Sequence, residues 1–175
     1  MKHPNRGFTL IELMTAILVL AILLGMGVPS YREMARSNRV TSSANDLVTT
    51  LSMARSESLR RSVPVSVCAS TDGEACVTAK ATTPTDWTTG WIAFTDANSN
   101  GTIDTGDAQL QTWGAPAGDT KLRGSGSFIT YTTTGILSGT RSFDVYFNGC
   151  TGNKARHVDV TLIGLLTTTS NTACP

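Results

Sequence analysis

The chain is poor in charge, and what charge it has is balanced. Charged residues make up 15% of the 175, where a quarter is usual, and 14 Lys+Arg stand against 13 Asp+Glu. No strongly basic footprint for nucleic acid is visible at this level. Histidine is scarce too, with only His3 and His157. No Ser/His/Asp arrangement, phosphate loop or two-histidine metalloprotease helix can be drawn, so an enzyme is not expected. There is no Cys-x-x-Cys, and the two histidines are badly spaced to complete a zinc site. No internal repeat and no long disordered linker occurs. The pair Asp104 and Asp107 is better explained by a turn than by acid–base chemistry. Trp87, Trp91 and Trp113 read as core or edge packing, with a sugar platform left open.

Thr, Ser and Gly fill the deficit, which suits an exported β-rich domain with short turns. The cysteines are Cys68, Cys76, Cys150 and Cys174. An even count in an exported domain reads as disulfides, and four cysteines allow three pairings. Cys68–Cys76 and Cys150–Cys174 are favoured, because each pair is close in sequence and closes its own loop.

One long apolar run is present, from Phe8 to Val28, and Glu12 is its single charge. As a helix these 21 residues span roughly 30 Å, one hydrocarbon thickness. Lys2 and Arg6 ahead of it place the N-terminus on the cytoplasmic side and the rest across the inner membrane. No Ala-x-Ala cut site follows the run, so an ordinary secretory signal does not fit. A plain signal anchor explains everything except Glu12. A carboxylate in lipid is expensive and wants a partner, for which the free α-amine of Phe8 on a neighbouring subunit is suitable.

Gly7-Phe8-Thr9-Leu10-Ile11-Glu12-Leu13-Met14 resembles the class III signal of type IV pilins and type II secretion pseudopilins. The resemblance implies a prepilin peptidase that cuts between Gly7 and Phe8 and N-methylates Phe8. It also implies that Glu12 sets subunit register in a filament. Without the leader, 12 cations face 13 anions. Pro29 falls where many pilins carry a helix-bending proline. The helix should then resume, with Met34, Val40, Ala44, Leu47, Val48, Leu51 and Ala54 as a core-facing stripe. Ser62-Val63-Pro64 should end it.

Beyond residue 62 the pattern changes to short runs: 63–68, 91–95, 109–113, 127–132, 142–147 and 157–163. The expected fold is α+β: a long N-terminal helix packed on an antiparallel β domain of one sheet or two small ones. The segments are a leader over 1–7, a transmembrane or filament-core helix over 8–28, its amphipathic continuation over 29–62, and a periplasmic β domain over 63–175. Residues 38–47, 54–58, Val67-Cys68, Asp86-Trp87 and 90–98 are similar to the GspH/FimT family of minor pilins. That resemblance implies a minor subunit acting in a priming complex with other minor and major pilins or pseudopilins.

Residues 96–107 resemble a calcium loop, with oxygen ligands at Asp96, Asn98, Asn100, Asp104 and Asp107 and Gly101 at the sharp turn. Position 12 holds Asp107 in place of the usual Glu, and strand-like runs flank the loop in place of helices. An Asx-rich turn is the alternative, and the family resemblance favours it. Some FimT proteins bind DNA through a C-terminal Gly-Arg-x-Arg. Here the nearest slots read Gly152-Asn153-Lys154-Ala155-Arg156-His157 and Gly164-Leu165-Leu166-Thr167. Arg141, Lys154 and Arg156 remain as candidate phosphate contacts, against a solvated strand edge as the plain alternative. The leading expectation is a minor pilin that primes a type IV pilus near its tip. A tip DNA receptor for natural transformation and a GspH-type pseudopilin are the alternatives.

Overall fold

The computed structural model describes residues 8–77 and 84–175, so the expected cleavage residue Gly7 lies outside the described residues. The chain divides into two compact units, Met1–Ala35 and Arg36–Pro175. Helix α1 (Leu10–Arg61) begins in the first and ends in the second.

In the first unit, every described residue from Phe8 to Met34 is exposed. An apolar helix with no polar face requires an apolar surrounding, and this one is long and apolar enough to cross a membrane. Pro29 lies inside α1, where it removes one backbone donor without ending the helix.

Among the described residues, the second unit joins residues 36–61 of α1 to nine strands. They are β1 (Val65–Ala69), β2 (Thr85–Asp86), β3 (Gly90–Thr95), β4 (Gln109–Gly114), β5 (Thr120–Gly124), β6 (Phe128–Tyr131), β7 (Arg141–Phe147), β8 (Ala155–Val160) and β9 (Leu166–Thr172). One sheet has the order β4-β3-β1-β6 and the other β2-β5-β7-β8-β9, with every pairing antiparallel. Val40, Ala44, Leu47, Leu51 and Ala54 recur at threes and fours on α1, and all are buried in the core shared with both sheets. Ser62, at φ 54°, takes the left-handed position that closes the helix two residues before Pro64.

Alternation sets the facing of most strands. Phe143, Val145 and Phe147 of β7 point into the core. β1 and β3 are buried on both faces. Val65, Val67, Trp91 and Ala93 join the main core, while Cys68, Ile92 and Phe94 form a second cluster with Cys76, Ile103 and Phe128. Disulfides join Cys68 to Cys76 and Cys150 to Cys174, at Cα separations of 5.6 and 5.8 Å. Trp87 and Trp91 are buried; Trp87 meets the edge of Phe143, and Trp91 stacks on Trp113. The indole N–H of Trp87 donates to the Gly126 carbonyl at 2.9 Å, and that of Trp91 to Thr50 Oγ1 at 2.9 Å.

Three strands escape sequence patterning. β2 has two residues, β5 carries a single inward Leu122 between Lys121 and Arg123, and β9 reads Leu-Thr-Thr-Thr-Ser-Asn-Thr. The run expected over 157–163 is also corrected: β8 is Ala155–Val160, and 161–164 form a turn in which Gly164 has φ 74°. Leu47 is fully buried between helix and sheets. Leu47→Ala should cost about 2–5 kcal/mol, through lost burial and the cavity left behind. Thermal unfolding of the detergent-solubilised chain, followed by fluorescence of the three tryptophans, measures it; a loss below 1 kcal/mol would contradict this packing.

Candidate functional site

At the start of α1, Thr9 Oγ1 accepts from the Glu12 backbone N–H at 3.3 Å. Thr9 therefore caps the helix, and Glu12 stands three residues on, the Thr-x-x-Glu spacing of a capping box. An acidic residue in the first turn also opposes the helix dipole. Glu12 thus has a local use besides any intersubunit partner. The Thr-x-x-Glu spacing is present in the sequence as Thr9-Leu10-Ile11-Glu12, set inside the apolar run. Phe8 is 85% exposed, immediately before the cap.

In the second unit, the 96–107 loop is organised around its own acceptors. Asp96 is fully buried; it accepts from Ser66 Oγ at 2.5 Å and from the backbone N–H groups of Asn100 and Gly101 at 3.1 and 2.9 Å. Ser66 Oγ also lies 2.6 Å from Thr130 Oγ1. The side-chain amides of Asn98 and Asn100 donate to Asp104 Oδ2 at 2.9 and 2.6 Å, which holds the Asp104 carboxyl below its ordinary range. Asp107 accepts from the Asp104 N–H at 3.0 Å. Gly101 has φ 75°, and a Cβ there would strike the Phe128 ring. For the loop to ligate a cation, both amides would have to turn away from Asp104. Turning them would surrender the bonds that Asn98 Oδ1 accepts from the Asn100 N–H and Asn100 Oδ1 from the Thr102 N–H.

The candidate phosphate-binding residues are not gathered into one patch. Arg141 Nε donates to the Phe128 carbonyl at 3.1 Å, and its Nη1 to the Thr140 carbonyl at 2.9 Å. Arg156 Nε donates to Thr41 Oγ1 on α1 at 3.0 Å. The two arginines stand near opposite ends of the β7–β8 ladder, where Arg141 faces Val160 and Arg156 faces Val145. Lys154 precedes β8 and is itself engaged.

A charged row that sequence reading missed crosses the second sheet, pairing Asp86 with Arg123, Arg123 with Asp144 and Asp144 with His157. No contiguous motif marks it, because each member comes from a different strand. Protonated His157 donates from Nδ1 to Asp144 at 2.6 Å and from Nε2 to Asp159 at 3.1 Å. The bond to Asp144 is the main reason its pKa is raised, against a smaller opposing effect of burial. A raised folded-state pKa adds stability that is complete below the unfolded value of about 6.5 and is lost as pH rises through the folded value. The unfolding midpoints of wild type and His157→Gln should therefore differ most near pH 5.5 and converge by pH 8.5. A gap of about 1 kcal/mol or less is expected, because the groups are partly solvated. A gap that does not change with pH would show that the pair does not act as an ion pair.

Two family models match the chain: residues 43–164 match the type II transport protein GspH, and residues 2–28 match the prokaryotic N-terminal methylation motif. No curated protein matches it in sequence. Among solved structures it is similar to the type IV minor pilin FimU of Pseudomonas aeruginosa. In one crystal form the TM-score is 0.60, at 22% identity over 79% of this chain and 93% of that one. It is also similar to the minor pseudopilin EpsH of the Vibrio cholerae type 2 secretion system, with TM-score 0.53 and 10% identity over 75% of this chain and 97% of that one. At such identities these likenesses establish the fold. The GspH match takes in most of the globular unit and the methylation motif takes in the apolar helix, so the chain belongs to the GspH family of minor pilins and pseudopilins.

Proposed function

We propose that this chain is a minor pilin that helps to prime and assemble a type IV pilus. It is cut between Gly7 and Phe8 by a prepilin peptidase and N-methylated on Phe8. Residues 8–28 anchor it in the inner membrane with the globular unit in the periplasm, and it then enters the filament near the tip. The observation that carries this reading is Glu12, the single charge in the apolar 8–28 stretch, whose residues are exposed on every face. Leaving the bilayer for a filament core gives that carboxylate a partner, the α-amine of Phe8 on a neighbouring subunit. A second reading, a pseudopilin of a type II secretion system, has the GspH match in its favour.

Glu12→Gln separates charge pairing from capping, because Gln serves a capping box as well as Glu does. The variant should insert in the membrane and be processed normally, yet be absent from sheared filaments, with loss of pilus-dependent motility. Normal incorporation would refute the pairing. Lost secretion of exported enzymes with intact motility would support the second reading instead.

Neither calcium nor nucleic acid enters the function we propose. The loop's oxygens already serve one another, and two of the three candidate arginine and lysine contacts are committed to local oxygen acceptors. Millimolar calcium should leave the unfolding midpoint of the chain unchanged. A rise of several degrees would assign the loop to the metal.

A further inference from the structure

Among the described residues of the second unit, every exposed large apolar side chain lies on three segments that meet: Leu59 at the end of α1, Ile136 in the β6–β7 connection, and Leu162, Ile163 and Leu165 in the β8–β9 turn. The Leu137 N–H donates to the Leu162 carbonyl at 2.8 Å. A Cβ on Gly135 would lie 3.2 Å from Leu59, and one on Gly164 would lie 2.7 Å from the Gly135 carbonyl oxygen. Arg55 Nη1 donates to the Gly164 carbonyl at 2.9 Å and ties the turn to the helix. At about half exposure each, five such side chains present on the order of 500 Å², near the upper end of what a monomer shows and often functional.

The turn itself does not require them. The Gly164 N–H donates to the Thr161 carbonyl at 2.8 Å, and the Thr161 N–H donates to the Leu165 carbonyl at 3.0 Å. This is a three-residue hairpin connection that needs only a left-handed glycine, here Gly164. Its central positions ordinarily hold Pro, Asp, Asn or Ser. Leu162 and Ile163 occupy them, 53% and 64% exposed, where they gain little from the fold. Pinned by Arg55 and the two glycines, they are held in place before any partner arrives.

The rim of the patch is positive. The end of α1 contributes Arg55, Arg60 and Arg61; Arg60 and Arg61 share the single carboxylate of Glu57, which leaves this end net positive, and residues 132–140 and 161–165 carry no charge. The unit as a whole is neutral, with 11 Lys/Arg against 11 Asp/Glu over residues 36–175. A second copy meeting the patch face to face would set these arginines against each other. Half-sunken side chains on three pinned segments also suit a shaped protein surface better than a bilayer. Resting on the minor-pilin reading, we propose that this patch docks the globular domain of a different pilin-type subunit, one with an apolar surface bordered by carboxylates.

The test uses the full chain in its native membrane, with Ile163→p-benzoylphenylalanine as the probe and Thr169→p-benzoylphenylalanine, on the exposed strand β9, as control. Irradiation should crosslink position 163 to another pilin-type subunit, at a site with Asp or Glu nearby, at least tenfold above the control. Adducts with a second copy, with lipid or with a protein of another kind, or none above the control, would overturn the proposal. Ile163→Asp should reduce co-purification of the crosslinked subunit at least tenfold with an unchanged unfolding midpoint, and the double change Arg60→Glu, Arg61→Glu should do so as well, although it also gives up the pairs that both arginines make with Glu57. Undiminished recovery would equally overturn it. Glu12→Gln in the same strain keeps the two ideas apart: if it still abolishes incorporation while the patch variants assemble normally, only the patch proposal has failed.

Discussion

The globular unit depends on covering one stripe of α1. Val40, Ala44, Leu47, Leu51 and Ala54 are too apolar to leave in water, and the core that covers them draws side chains from both sheets. Two sheets share the task. Around the stripe, arginines fix the loops that border it. Arg36 pairs with Asp119 at 3.1 Å and lies over the Phe147 ring, Arg39 fills the space beside Gly118, Arg55 holds Gly164, and Arg156 reaches Thr41. Four of the unit's 11 Lys/Arg are therefore spent on positioning. This limits what the unit offers to phosphate and leaves its apolar turn as the more distinctive exposed feature.

What was legible in the sequence was whatever repeats along one element. The apolar run over 8–28, the stripe on α1 and the alternation of β7 each announce their periodicity, and the α+β architecture follows from them. The cysteine pairs were legible because each closes a short loop. Features that exist only between elements were not. β9 has no apolar residue beyond Leu166, and its pairing with β8 is what makes it a strand. The row of Asp144, His157 and Arg123 depends on register, which no single segment encodes. Leu162 and Ile163 carry the apolar pattern of β8 on into 161–164, where Gly164 and the Thr161–Leu165 bond make a turn instead.

At the other end of α1, two demands fall on the same residue. A helix entering an apolar medium must satisfy its first N–H groups, and the Thr9 hydroxyl does so for the Glu12 N–H. The Glu12 carboxylate, well placed in the first turn for the helix dipole, is also the one costly group in lipid. A cap made with Ser or Asn alone would avoid that cost, so keeping Glu is informative about the second demand. The family match fits this arrangement, since it is a family of structural pilins and pseudopilins rather than of enzymes.

The two disulfides also have a mechanical meaning. They bridge sequence separations of 8 and 24 residues, the second reaching from the loop before β8 to the segment after β9. If tension on the helix stripped the globular unit, these bridges would withhold on the order of 100 Å of contour from the extending chain. Strands β8 and β9 would stay looped together after the core had opened, leaving less slack and a shorter search back to the native pairing. A subunit tied in this way resists being drawn out into thread, whatever load its neighbours pass to it.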